Sequence, residues 1–179
     1  QSVVGVADQG NSPDAANLVI TATPLTWPAP LTLTPEFTCG APINSGPHHF
    51  VVNAALAALD RWVRRGKPPR SLPRLEVDAG PPVAIRTDAH GNALGGIRTP
   101  QVDVPIATFT GEQSGSIICR LFGSTTPFDP ATLASLYPSH RAFTSAYAKA
   151  LQRAVRAGVL LRPDARLIKR WAAGSSVGG

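Results

Sequence analysis

The stretch Gly46-Pro47-His48-His49-Phe50, continuing to Arg64-Arg65-Gly66-Lys67-Pro68-Pro69, reads as a helix from start signal to stop signal. Proline costs nothing at the first helical position, because the N–H it lacks would have no intrahelical partner there. Glycine suits the left-handed residue that closes a helix, and Pro68-Pro69 forbids continuation. Between those signals Phe50, Val51, Val52, Ala54, Ala55, Leu56, Ala58, Leu59, Trp62 and Val63 leave a polar stripe of only Asn53, Asp60, Arg61 and Arg64. A helix apolar on nearly every side belongs inside a sizeable core. A chain of 179 residues is short for that. The sequence therefore predicts that segment 44–66 organises the fold and that part of its covering lies elsewhere.

Upstream, residues 1–43 form an extended lead-in broken by Pro13, Pro24, Pro28, Pro30, Pro35 and Pro42, with 17–23 the best strand within it. Downstream, residues 67–128 read as a β-rich extension. Residues 74–78 and 83–87 each alternate at period two across a Gly80-Pro81-Pro82 turn, which predicts a hairpin. Residues 88–92 form a turn rich in types that tolerate positive φ, and 101–109 is a further strand whose Pro105 sets it at an edge or bulge. Residues 129–173 are helical. Asp129 and Pro130 open a short helix, and Ser139 caps a longer one with Ala142, Phe143, Ala146, Tyr147, Ala150, Leu151, Ala154 and Val155 at three-four spacing, closed by Gly158. A third helix, from Pro163, is expected to bury Leu167, Ile168 and Trp171. Residues 174–179 are expected as a flexible tail.

Composition bounds the class. With 43% hydrophobic and 16% charged residues the balance is globular, while eighteen prolines and sixteen glycines demand long irregular connections. No apolar run approaches the roughly 18 residues a membrane helix needs, so no bilayer span is expected. Gln1 follows no Met and no basic-then-apolar segment, which points to processing or to a cut inside a longer chain. Charge concentrates late: between Ser139 and Arg170, eight Lys and Arg face one acid, Asp164. Such basic helices can bind an anionic partner, but a solvated face opposite an apolar stripe has the same pattern, so nucleic acid is not the expected partner.

Individual motifs carry little chemistry. Residues 174–178 match G-x-S-x-G, yet a nucleophile elbow needs a strand before the serine and a helix after it, and here a basic helix precedes. His48 and His49 open the first helix, as a base or as a structural cap, and neighbours about 100° apart on a helix cannot both face one site. No Cys or carboxylate stands at ligand spacing to them, so no metal is expected, and no cofactor motif is present. Arg98 and Asp103 flank a proline-fixed turn, where they pair with each other or line a pocket. Cys39 and Cys119 allow one disulfide or two thiols.

Residues 39–44 (C-G-A-P-I-N), 46–62 (G-P-H-H-F-V-V-N-A-A-L-A-A-L-D-R-W), 91–111 (G-N-A-L-G-G-I-R-T-P-Q-V-D-V-P-I-A-T-F-T-G), 119–128 (C-R-L-F-G-S-T-T-P-F) and 136–140 (L-Y-P-S-H) resemble the carboxy-terminal part of a family of bacterial, largely actinobacterial, alpha/beta hydrolase domain proteins. The resemblance implies an α/β class for the larger hydrolase fold, with this chain alone α+β. The serine nucleophile and the triad histidine would lie upstream of these segments. His49 matches a recurrent histidine of the family, and Arg98 and Asp103 match recurrent polar positions. On this reading the chain is the structural, pocket-lining end of a serine-type esterase or amidase, without the nucleophile. Its partners are the remainder of the hydrolase domain and, through it, a small ester or amide. The alternative is a non-catalytic module that uses its basic helices. Both cysteines lie in family-like segments, so a Cys39–Cys119 bridge is expected, which goes with export or the cell envelope; two buried thiols would go with the cytoplasm.

Overall fold

The computed structural model describes residues 39–115 and 117–179, and the strand expected at 17–23 lies outside them. In chain order the described elements are α1 (His48–Arg65), β1 (Val77–Asp78), β2 (Ala84–Ile85), α2 (Pro100–Asp103), β3 (Ala107–Thr110), α3 (Ile117–Arg120), β4 (Ser124–Pro127), α4 (Pro130–Leu136), α5 (His140–Ala157) and α6 (Arg162–Gly174). Helices with two small antiparallel sheets make this an α+β arrangement.

The core is centred on α5. Ser139 Oγ accepts the Ala142 N–H at 3.2 Å to start the helix, and Gly158, at φ 79°, ends it in the left-handed region. The predicted three-four stripe supplies Phe143, Tyr147, Ala150, Leu151 and Ala154, all buried. An aromatic chain runs through them, with ring centroids 5.1 Å apart for Tyr137–Phe143, 5.2 Å for Phe143–Tyr147 and 5.7 Å for Tyr147–Trp171. Helix α6 packs on α5 through Ile168 and Ala172. Leu167, expected in the core, is 42% exposed; it stands one residue, and so about 100°, away from Ile168.

Helix α1 has the expected stop, since Gly66 is left-handed and its N–H reaches Trp62 O at 2.8 Å. Its start is one residue later than expected, with Pro47 just outside. The larger departure is in burial. Only Phe50 and Ala54 of α1 are buried, so the helix predicted to organise the fold lies at the margin of a core built from α5.

The predicted hairpin forms, with Val77 opposite Ile85 and Asp78 opposite Ala84. Gly95 lies at φ 71° where a Cβ would strike the Arg74 carbonyl, so glycine lets residues 94–96 close beside that hairpin. The strand expected over 101–109 is shorter. Pro100 fixes a φ suited to a helix start and holds Thr99 extended, so 100–103 turns into α2, and strand β3 begins at Ala107, beyond Pro105. Strand β3 pairs with β4 from Ala107–Pro127 to Thr110–Ser124.

Residues 39–45 are stitched onto 113–125. Gly40 N donates to Ser114 O at 3.1 Å, Thr125 N to Pro42 O at 2.9 Å, and Gln113 Nε2 to Ala41 O at 2.7 Å. The Cys39–Cys119 disulfide closes this seam with Cα atoms 5.4 Å apart. The tail expected to be flexible is held down as well: Val177 is in the core, and the two ring nitrogens of His140 lie 3.0 Å from Val177 O and 3.2 Å from Ala173 O.

Candidate functional site

Successive residues of a helix turn by about 100°, which divides α1 into four faces. Phe50 and Ala54 point to the core. Val51, Ala55, Ala58 and Trp62 form one wall of a cleft of about 540 Å³, closed opposite by Pro69, Leu72, Ile97 and the 157–159 turn after α5. The third face carries Val52, Leu56, Leu59 and Val63, exposed by 37%, 59%, 51% and 78%. Asn53, Asp60 and Arg64 make the polar remainder, where Arg64 Nε donates to Asp60 Oδ1 at 2.8 Å. Of the three apolar faces of α1, one thus meets the core, one walls the cleft, and the third has no cover among the described residues.

A second cavity, of about 530 Å³, lies between Asn44, Pro47 and His48 on one side and Thr99, Val102, Leu121 and Phe122 on the other. His48 is exposed and lines it. His49, the histidine singled out from the sequence, is half-buried, with its ring centroid 3.7 Å from that of Phe50. The two imidazoles diverge as adjacent helical residues must. Ser45 N donates to Thr125 Oγ1 at 2.9 Å, and Asn44 Nδ2 donates to Thr110 O at 3.0 Å, so the 44–45 segment at the cavity's edge is fixed by non-local hydrogen bonds.

Arg98 and Asp103 are brought together. Arg98 Nε donates to Asp103 Oδ1 at 2.8 Å and Arg98 Nη1 to Ala93 O at 2.7 Å, while Arg153 Nη2 reaches Asp103 Oδ2 at 3.0 Å. One carboxylate thus ties the 93–103 loop to α5. Neither Arg98 nor Asp103 lines the two cavities described above. The sequence offered His48 as a base or a cap but not as a cavity residue, and it did not single out Arg70 or Arg156, because the far walls of both cavities come from segments tens of residues away.

The G-x-S-x-G match has the local geometry of a helix end. Gly174 is the last residue of α6, Ser175 Oγ donates to Ala172 O at 2.9 Å, and Ser176 is on the surface. A strand does not enter it, so its serine is not presented as an elbow nucleophile is. Among the described residues no group of three or more His, Cys, Asp or Glu converges as a metal site would require, and no helix is long and apolar enough to cross a membrane.

Titration is perturbed at a few structural positions. The Thr132 backbone N–H holds the Asp129 carboxyl below its ordinary range. Burial raises the phenols of Tyr137 and Tyr147 above their ordinary value. All three are packing or capping groups away from either cavity.

A family model described as Alpha/beta hydrolase domain matches residues 9–170. No curated protein and no solved structure matches the chain.

Proposed function

The chain belongs to the alpha/beta hydrolase domain family, and from that premise we propose that it forms the C-terminal, pocket-lining portion of a serine-type hydrolase of esterase or amidase class. Its nucleophile would come from another part of that hydrolase. The observation that carries this reading is the outer face of α1, uncovered among the described residues, where Val52, Leu56, Leu59 and Val63 present a continuous apolar strip. Strips of this kind mark an interface. In a doubly wound hydrolase, a helix on the central sheet needs such a face. The hydrophobic residues of the β1–β2 hairpin, Val77, Val83 and Ile85, are likewise at least half exposed and suit the same docking.

The chemistry of acyl transfer needs a nucleophile, a base within hydrogen-bond reach and oxyanion donors held together. Within this reading His48 lines the substrate side, while Arg98 and Asp103 keep the adjoining loop in place. The test is hydrolysis of p-nitrophenyl butyrate by the purified chain, and then by the product of the same gene extended upstream in frame. Turnover is expected only from the extended product, with its nucleophile in an upstream G-x-S-x-G. Turnover by the chain alone that disappears in Ser176→Ala would refute the proposal.

A further inference from the structure

The 540 Å³ cleft beside α1 lies within the size range of small-ligand sites, roughly 300–1,000 Å³. Its lining is largely apolar, and the small side chains of Ala55 and Ala58 leave room beside Trp62 for a chain-like ligand to lie along the helix. Three arginines, Arg61, Arg70 and Arg156, are among the residues that border it, and among the described residues no Asp or Glu does. Among the described residues none of the three takes part in an ion pair, although Arg64, Arg86, Arg98 and Arg153 do. Three cations from separate segments around an apolar trough are complementary to one chemistry, an apolar tail ending in an anion. Guanidinium also fits carboxylate and phosphate oxygens in a two-point fork.

We propose that this cleft binds a single-chain amphipathic anion, with its hydrocarbon tail along Ala55, Ala58 and Trp62 and its headgroup held by Arg61, Arg70 and Arg156. The cleft and the outer strip of α1 are mainly different faces of the helix, so this binding does not depend on the hydrolytic reading. An ester assay and a binding titration fail separately.

Trp62 supplies the readout, because it lines the cleft and is 46% exposed. The purified chain is titrated with 12-bromododecanoate below its micelle concentration, where saturable quenching that is lost in Trp62→Phe is expected. Paired calorimetric titrations with dodecanoate, dodecyl phosphate and dodecanol then separate tail from headgroup. At least one anion should bind about tenfold more tightly than the alcohol, and whichever does so identifies the headgroup. The triple variant Arg61→Gln, Arg70→Gln, Arg156→Gln should weaken anion binding about tenfold and leave the alcohol unchanged; its three side chains are all exposed, so the fold is retained. Ala55→Phe, which fills the trough from an exposed position, should abolish binding of all three. Equal affinity for alcohol and anions, an unaffected triple variant, or binding only to anionic phospholipid vesicles would overturn the proposal.

Discussion

Replacing both cysteines, as Cys39→Ser with Cys119→Ala, should cost this chain a large part of its stability, and the magnitude follows from the path between them. The bridge spans a sequence separation of 80 and encloses α1, the β1–β2 hairpin, α2 and β3. On the chain-entropy account, releasing a closed loop of that size from the unfolded ensemble corresponds to about 4.5 kcal/mol at 25 °C. In urea, with a dependence of about 2 kcal/mol per M, the midpoint should fall by about 2 M, and the slope should rise as the uncrosslinked chain exposes more surface when unfolded. Cys119 is fully buried, so alanine there adds a small packing loss in the same direction. The assay is equilibrium urea unfolding followed by near-ultraviolet and far-ultraviolet circular dichroism. A midpoint change under about 0.5 M would refute the argument. It would mean that the hydrogen bonds of 39–45 to 113–125 already confine the unfolded chain.

Other outcomes follow from single contacts. Asp103→Asn removes the charge that Arg98 and Arg153 share and leaves an acceptor oxygen for only one of them, which should cost about 1–3 kcal/mol in thermal or chemical unfolding, whereas Arg153→Gln, at the exposed end, should cost well under 1 kcal/mol. Phe143→Ala empties the centre of the aromatic chain and should cost about 3–5 kcal/mol. Because the folded-state values of Tyr137 and Tyr147 are raised above the ordinary 10.0, their contribution is complete below pH 10 and declines as pH rises through the folded values. An alkaline melting series should therefore show a loss that Tyr137→Phe reduces, although that variant also gives up the 2.7 Å hydrogen bond to Pro105 O. Binding to unrelated DNA, measured by anisotropy, should vanish by about 0.2 M salt, as purely electrostatic contacts do; tight binding above that would favour the basic-helix module.

Local signals in the sequence were sufficient wherever the deciding interaction is itself local. Asp129 and Ser139 as caps, Gly66 and Gly158 as stops, and the three-four stripe of α5 all act within a few residues, and each appears in the structure. The hairpin is of the same kind, set by a short turn between alternating segments. Arg98 and Asp103 are five residues apart, so their pairing was one of two readings already open. What the sequence left undetermined depends on distant segments. A run of apolar residues on α1 says that water is disfavoured on every side, but not which side meets the core, which forms a cleft with 69–72 and 157–159, and which has no cover among the described residues. The place of His48 beside Thr99 and Phe122, and the distribution of Arg61, Arg70 and Arg156 around one trough, likewise require chain closure over tens of residues. Pattern fixes a residue's preference for burial, whereas only tertiary packing decides which neighbour satisfies it, because burial is non-directional and equally favourable against any apolar surface.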